Sequence, residues 1–365
     1  MLGTKKLAVW AIGLLLIGGT LSGLSVSEAQ QQTPEKTAAP TPTVTPTTEA
    51  VEEDNEVLKI DADVVNVLFT AQDKNHRLLT DLKQNDVNLI EDGQKQAIIA
   101  FTRQIDLPLS LAILIDTSRS QERTLPEEKA AAKSFIQSVI RPLKDEVAVI
   151  SFTGETTLEQ GMTNNLSRLI RAVDRVVYVP PAGDIGGGVI VGTPPISGTN
   201  SQITASTAIW DAIWITSEEV LKPSPDKTRR AIILLTDGVN TFGSKKPDDA
   251  VQAALRSEAV IYSVGIGDIF YDGVDKGTLR KISERTGGRA FFPQDETELR
   301  KVFEQIQIEM RSQYLIAYEP TNQKRDGSYR KIEIQLTNPS LSKQKVALTH
   351  RQGYFAKTES GQKPK

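Results

Sequence analysis

In the stretch LSLAILIDTSRSQ (109–121), a run of apolar residues ends by presenting Asp116, Ser118 and Ser120 at alternate positions. A carboxylate and two hydroxyls at such a place either satisfy backbone donors in a turn, as Asp and Ser commonly do, or gather around something that wants oxygen ligands. Alternate spacing serves the second use where the chain runs extended, because positions i, i+2 and i+4 then project on one side. Two further strand ends offer the same chemistry. Thr207 stands at the start of the helical pattern STAIWDAI, with Thr204 and Ser206 as alternatives for its role, and Asp237 precedes Gly238 after the apolar run IILLT. None of these residues brings nitrogen or sulfur. The set suits a hard divalent cation, Mg²⁺, Mn²⁺ or Ca²⁺, rather than zinc or copper. A second acidic stretch, GDIFYDGVDKG with Asp268, Asp272 and Asp275, reads either as another cation site or as a solvated loop.

Side chains of this kind need a scaffold that brings separate strand ends together. Between 107 and 310, apolar β-rich runs (LSLAILID, EVAVISFT, RRAIILLTD, AVIYSVGIGD, RAFFPQ) alternate with helical patterns. Strands that are apolar throughout are buried on both faces, so the alternation predicts a doubly wound, mainly parallel α/β domain. Ligands of open α/β sheets collect beyond the carboxyl ends of the strands, which is where Asp116, Thr207 and Asp237 fall. The pattern TLPEEKAAAKSFIQSVIRPL predicts a helix, with Thr124 and Glu127 spaced as a capping box and Pro126 in its first turn. On either side the period changes to two. The segment 57–106 contains a hairpin signal, Asp92-Gly93 between two apolar runs, and 311–356 carries Ile332, Ile334 and Leu336 on one face. Neither segment closes a core alone, so the two are expected to pair into one small sandwich-like β module. Within the α/β domain, 178–202 is a long Gly/Pro-rich insertion leading to Thr207. Its GDIGGGVIVGT lacks the Lys-Ser/Thr ending of a phosphate-binding loop, and a flap that contacts a partner is favoured over a passive insertion.

The 365 residues, 39% apolar and 24% charged, suffice for one large domain and a smaller one. A net charge of -3 and a pI near 5.7 give no basic field for nucleic acid. The absence of cysteine excludes thiol catalysis, disulfides and thiolate metal sites. The two histidines, His76 and His350, read as surface residues of strand-rich segments. Residues 1–29, with Lys5 and Lys6 ahead of an apolar run and small residues up to Ala29, have the layout of a secretory signal peptide, or alternatively of an uncut membrane anchor. Either places the rest of the chain outside the cytoplasm. The Pro/Thr-rich and then acidic segment 30–56 reads as a disordered tether, and 357–365 as a disordered tail.

Taken together, these residues make the sequence resemble the von Willebrand factor type A domain, with its metal-ion-dependent adhesion site. The family's D-x-S-x-S motif appears as Asp116-Thr117-Ser118-Arg119-Ser120, its threonine as Thr207 and its last acid as Asp237. The stretch VIYSVGIGD resembles the strand that follows that acid. More narrowly, the layout is similar to secreted bacterial proteins in which this domain sits between short β segments, here NLIEDGQKQAIIAF before it and SQYLIAYEP, YRKIEIQLT and RQGYF after it. The resemblance implies one divalent cation, Mg²⁺ foremost, held by Ser118, Ser120 and Thr207 directly and by Asp116 and Asp237 directly or through water. One coordination position stays open for an Asp or Glu carboxylate of a protein partner, and binding sometimes shifts the final helix, here 295–313. The implied function is non-catalytic adhesion or interaction. A divalent-metal-dependent hydrolase, phosphatase-like, is the rival, but no nucleophile–base pair can be named. Ser118 also stands where an aspartyl-phosphate enzyme needs a second aspartate. A metal-free scaffold is the third reading, opposed by the complete set of five oxygen residues.

Overall fold

The computed structural model describes residues 63–75, 77–104, 107–178, 206–225, 228–267 and 273–358, and the backbone of 185–186 and 189–190. The expected signal peptide or anchor, the tether, His76, Thr204, Asp268, Asp272, nearly all of the 178–202 insertion and the last residues of the tail lie outside them.

The chain forms β1 (Val65–Gln72), β2 (Val87–Glu91), β3 (Gln94–Gln96) and β4 (Ile98–Gln104) before entering the α/β region. There follow β5 (Leu109–Asp116), β6 (Glu146–Phe152), β7 (Thr156–Thr163), the two-residue pair β8 (Ile185–Gly186) and β9 (Val189–Ile190), β10 (Arg229–Thr236), β11 (Ala259–Gly265) and β12 (Ala290–Phe291). The chain ends through β13 (Gln313–Tyr318), β14 (Tyr329–Leu336), β15 (Ala347–His350) and β16 (Gly353–Phe355).

The central sheet has the order β12-β11-β10-β5-β6-β7, parallel except for β7 at its edge. All eight residues of β5 and all eight of β10 are buried, as expected for strands covered on both faces. Alternate side chains of β5 serve two cores. Leu111, Ile113 and Ile115 pack with helix α1 (Leu125–Val139) and the final helix (Glu296–Arg311), while Ala112 and Leu114 pack with helices Ile209–Ile215, Pro247–Arg256 and Lys276–Thr286. Phe135 of α1 stacks on Phe303 of the final helix with ring centroids 4.7 Å apart. From β5 the chain moves to β6 on one side and later returns through β10 to build the other. The switch point, where open sheets present their ligand crevice, therefore lies between β5 and β10.

The N- and C-terminal β segments pair with each other. Sheets of order β15-β1-β13-β4 and β16-β14-β2-β3 share a core of Val67, Phe69, Leu89, Ile316, Tyr318, Ile332 and Ile334. Asp92 and Gly93 both adopt positive φ between β2 and β3, the two-residue hairpin that Asp-Gly favours. The module joins the α/β region through Gln72, whose amide donates to Glu309 Oε1 at 2.7 Å and accepts from Arg289 at 2.6 Å. No helix among the described residues is long and apolar enough to cross a membrane.

Three local expectations are corrected. The capping box at Thr124 does not form, because Thr124 itself is helical and makes no side-chain cap bond. Its hydroxyl turns to Gln121 Oε1 and Glu128 Oε1 instead. The helix expected from Ser206 begins at Ile209 and widens to π geometry over Thr216–Leu221, where the Ser217 hydroxyl donates to the Ile213 carbonyl at 2.8 Å and competes for the i−4 acceptor. His350 is not a simple surface residue, since its Nε2 accepts from the Ile334 amide and its Nδ1 bonds the Arg351 carbonyl oxygen.

Asp145 ties the lower edge of the sheet together. It accepts from the Leu109 amide, from the guanidinium of Arg141 and from Arg311 at the end of the final helix. Burial opposes its ionisation, yet these donors outweigh that cost and hold its carboxyl at about 2. Removing one side of a buried ion pair leaves the partners uncompensated, so Asp145→Ala should cost about 3–5 kcal/mol in urea unfolding. The folded state releases this proton more readily than the unfolded chain, so wild type loses the contribution as pH falls from about 4 to about 2. The variant should lack that loss.

Candidate metal centre

The site grows from the register of the two central strands. β5 and β10 pair in parallel up to Ile115 and Leu235, so Asp116 and Thr236 come next at the same level. The Thr236 hydroxyl donates to Asp116 Oδ2 at 2.6 Å, and Asp116 Oδ1 accepts from the Ser118 amide at 2.9 Å. Asp116 is thereby held at both oxygens and wholly enclosed. Thr117 turns away and anchors the loop to the end of β6, with both its amide and its hydroxyl donating to the Phe152 carbonyl.

Beyond Ser118 the chain does not continue extended as the alternate spacing suggested. Arg119–Gln121 form a 3-10 turn. It folds Ser120 back so that its Oγ lies 3.2 Å from Ser118 Oγ, while Arg119 is exposed. The two hydroxyls converge through a local reversal of the chain. Gln121, completely buried, anchors the turn by donating to the Ile266 carbonyl at 3.1 Å, with a longer 3.5 Å contact to Ser120 Oγ.

Asp237 follows Thr236, and its Oδ1 accepts from the Val239 amide at 2.9 Å. Gly238 takes φ +86°, and a Cβ there would meet the Leu279 side chain at 2.9 Å, so this turn requires glycine. Burial raises the Asp237 carboxyl above its ordinary range against hydrogen bonds from Ser120, Val239 and Gln121. The D-x-S-x-S turn is joined to the end of β10 by the Thr236 hydroxyl on Asp116. Thr207 is placed at the same edge from two directions. The next residue, Ala208, donates its amide to the Thr153 carbonyl beyond β6, and the Thr207 amide donates to Thr241 Oγ1 at 2.8 Å. Thr207 in turn accepts at its carbonyl from the amides of Thr241 and Phe242. Ser206, the alternative in the sequence, is also buried.

Asp275 caps the helix Lys276–Thr286, its Oδ1 accepting from the Thr278 amide at 3.0 Å, while Asp268 and Asp272 lie outside the described residues. Among the described residues, no three His, Asp or Glu side chains converge as a metal-holding group. Two carboxylates, Asp116 and Asp237, and the hydroxyls of Ser118 and Ser120 lie at these strand ends, and Thr207 is brought to the same edge through its backbone. Thr236, Gln121 and Glu128 escape notice in the sequence, since each is a common residue inside an ordinary strand or helix pattern.

Burial governs the electrostatics of the site. Burial first, and the like charge of Asp237 second, push the Asp116 carboxyl up to about 7 despite hydrogen bonds from Thr236 and Ser118. Glu128, buried in the first turns of α1, is pushed up to about 8 by burial, with the charges of Asp116 and Asp237 adding to it against its bond from Thr124. A divalent cation would supply the positive charge that these oxygen donors lack, and the donor set fits one.

Residues 196–305 match the profile of the von Willebrand factor type A domain. This chain carries a von Willebrand factor type A domain. The matched span includes Thr207 and Asp237, while the D-x-S-x-S turn at the end of β5 lies before it, on a strand of the same sheet as β10 and β11. Among solved structures, proximal thread matrix protein 1 from the mussel byssus is 20% identical, over 60% of this chain and 51% of its own, with a TM-score of 0.45. A second structure of that protein, with a zinc-occupied MIDAS motif, gives a TM-score of 0.44 at 20% identity over 60% and 49% of the two chains. An aerotolerance-related membrane protein from Bacteroides fragilis is 16% identical, over 55% of this chain and 98% of its own, with a TM-score of 0.40. The present chain thus spans about half the length of the mussel protein. No curated protein matches it.

The raised Asp116 carboxyl has a measurable consequence. The folded type A domain holds this proton more tightly than the unfolded chain, whose carboxyl ionises near 3.8, so the site's contribution to stability declines as pH rises from about 4 to about 7. In chelator, the thermal midpoint of Asp116→Asn should fall less across that interval than that of wild type. Equal slopes would contradict the assignment.

Proposed function

We propose that the protein is an extracytoplasmic, metal-ion-dependent binding module. In this reading one divalent cation, Mg²⁺ before Mn²⁺ or Ca²⁺, is held by Asp116, Ser118, Ser120, Thr207 and Asp237, and it takes an Asp or Glu carboxylate from a protein partner as its last ligand. The observation that carries the reading is the 3.2 Å approach of the Ser118 and Ser120 hydroxyls beside a wholly buried Asp116 and a buried Asp237. Neutral hydroxyl ligands leave much of the cation's charge uncompensated, so it stays electrophilic toward an incoming carboxylate. Phe242, 41% exposed, is tied by its amide to Thr207 and offers an apolar contact on the rim. In this reading the site binds rather than catalyses, the cation serving as a docking point for a carboxylate. His350, the histidine among the described residues, is engaged within the β module. Export follows from the signal-like residues 1–29, with membrane attachment only where that segment stays uncut.

Titration calorimetry with Mg²⁺, Mn²⁺ and Ca²⁺ tests the metal half of the proposal. Wild type should show saturable binding of one ion, and Asp116→Ala and Asp237→Ala should each abolish it while retaining a folded circular dichroism spectrum. Equal binding by the variants would remove these residues from the site. A chelator should likewise release any protein partner captured in the presence of the ion, and capture indifferent to chelator would remove the metal from partner binding.

A further inference from the structure

Glu128 stands in the first turns of α1 with no exposed surface. Its Oε1 accepts from the Thr124 hydroxyl at 2.7 Å, but its Oε2 is buried with no hydrogen-bond partner in the protein. A fully enclosed carboxylate oxygen without a donor is costly, so its retention calls for a physical reason. Its surroundings point toward the site. Thr124 Oγ1 also lies 2.9 Å from Gln121 Oε1, and Gln121 in turn reaches Ser120 Oγ and the Ile266 carbonyl beyond β11. A continuous polar chain therefore runs from Glu128 through Thr124 and Gln121 to Ser120. The charges of both Asp116 and Asp237 also act on Glu128, which puts three carboxylates in one buried region.

We propose that Glu128 is a positioning residue of the cation site, its Oε2 accepting a hydrogen bond from water carried by the cation and its Oε1 bracing Thr124 and Gln121 behind Ser120. The inference rests on the reading of the strand-end residues as a cation site. Outer carboxylates of this kind orient what the metal carries and add negative charge without taking a coordination position. Glu128 also links the ion to α1, so that the start of that helix and the D-x-S-x-S turn are fixed together.

The test is Mn²⁺ titration of wild type, Glu128→Gln and Glu128→Leu, alongside thermal unfolding of each in chelator. Glu128→Gln keeps the shape and an acceptor for Thr124 but removes the charge. It should weaken Mn²⁺ by at least about tenfold, the loss typical for an outer carboxylate, while its midpoint in chelator stays at or above that of wild type. Glu128→Leu, which removes both oxygens, should lose at least as much affinity. A Glu128→Gln variant with wild-type affinity would overturn the positioning role and leave the metal site standing. An equal fall in affinity and chelator stability would make Glu128 a purely structural acid. Failure of wild type itself to bind Mn²⁺ would overturn both the inference and the site beneath it.

Discussion

Two carboxylates, Asp116 and Asp237, are enclosed side by side at the ends of the two central strands, and the local structure is organised around keeping them there. Burying like charges together is unfavourable by several kcal/mol unless a counter-charge or strong donors intervene. The protein supplies neutral donors: the Thr236 hydroxyl, the amides of Ser118 and Val239, and contacts from Ser120 and Gln121. These hold the oxygens in position without cancelling their charge. Burial raises both carboxyls above their ordinary range, and the charge of Asp237 adds to the effect on Asp116.

The fold explains why such an arrangement is sustainable. A parallel sheet with helices on both faces buries β5 and β10 completely, and their shared register delivers Asp116 and Thr236 to the same level without any flexible segment between them. The positions that must reverse the chain are short and specific. They are the 3-10 turn Arg119–Gln121, the glycine at 238 with its positive φ, and the mutual hydrogen bonds between Thr207 and Thr241. Rigidity at the opposite edge comes from Asp145, which is paired with Arg141 and Arg311 and held ionised rather than left with a raised pKa. The two ends of the sheet thus treat buried acids in opposite ways.

Much of this was legible in the sequence because it lay in local patterns. The uninterrupted apolar runs LSLAILID and RAIILLT identified buried parallel strands, and the acids that follow them marked the strand ends. The Asp92-Gly93 turn identified its hairpin. What the sequence did not disclose depended on contacts across many residues. Nothing in TLPEEKAAAK distinguishes Glu128, fully enclosed, from Glu127, exposed on the same turn. Thr124 resembled an N-cap, but Gln121 and Glu128, brought close by the 3-10 turn, compete for its hydroxyl. Thr236 read as one more residue of a β-branched strand until the register set it against Asp116. The alternate spacing of Ser118 and Ser120 pointed to hydroxyls that do meet, but through the wrong geometry, since they come together by a turn rather than along an extended run.

Crystals soaked in Mn²⁺ and measured at a wavelength where the ion scatters anomalously test the central claim most directly. The account predicts a single strong anomalous peak bonded to the Ser118 and Ser120 hydroxyls, flanked by Asp116, Thr207 and Asp237, and absent from crystals of Asp237→Ala. A peak elsewhere, or none at the strand ends under saturating Mn²⁺, would contradict it.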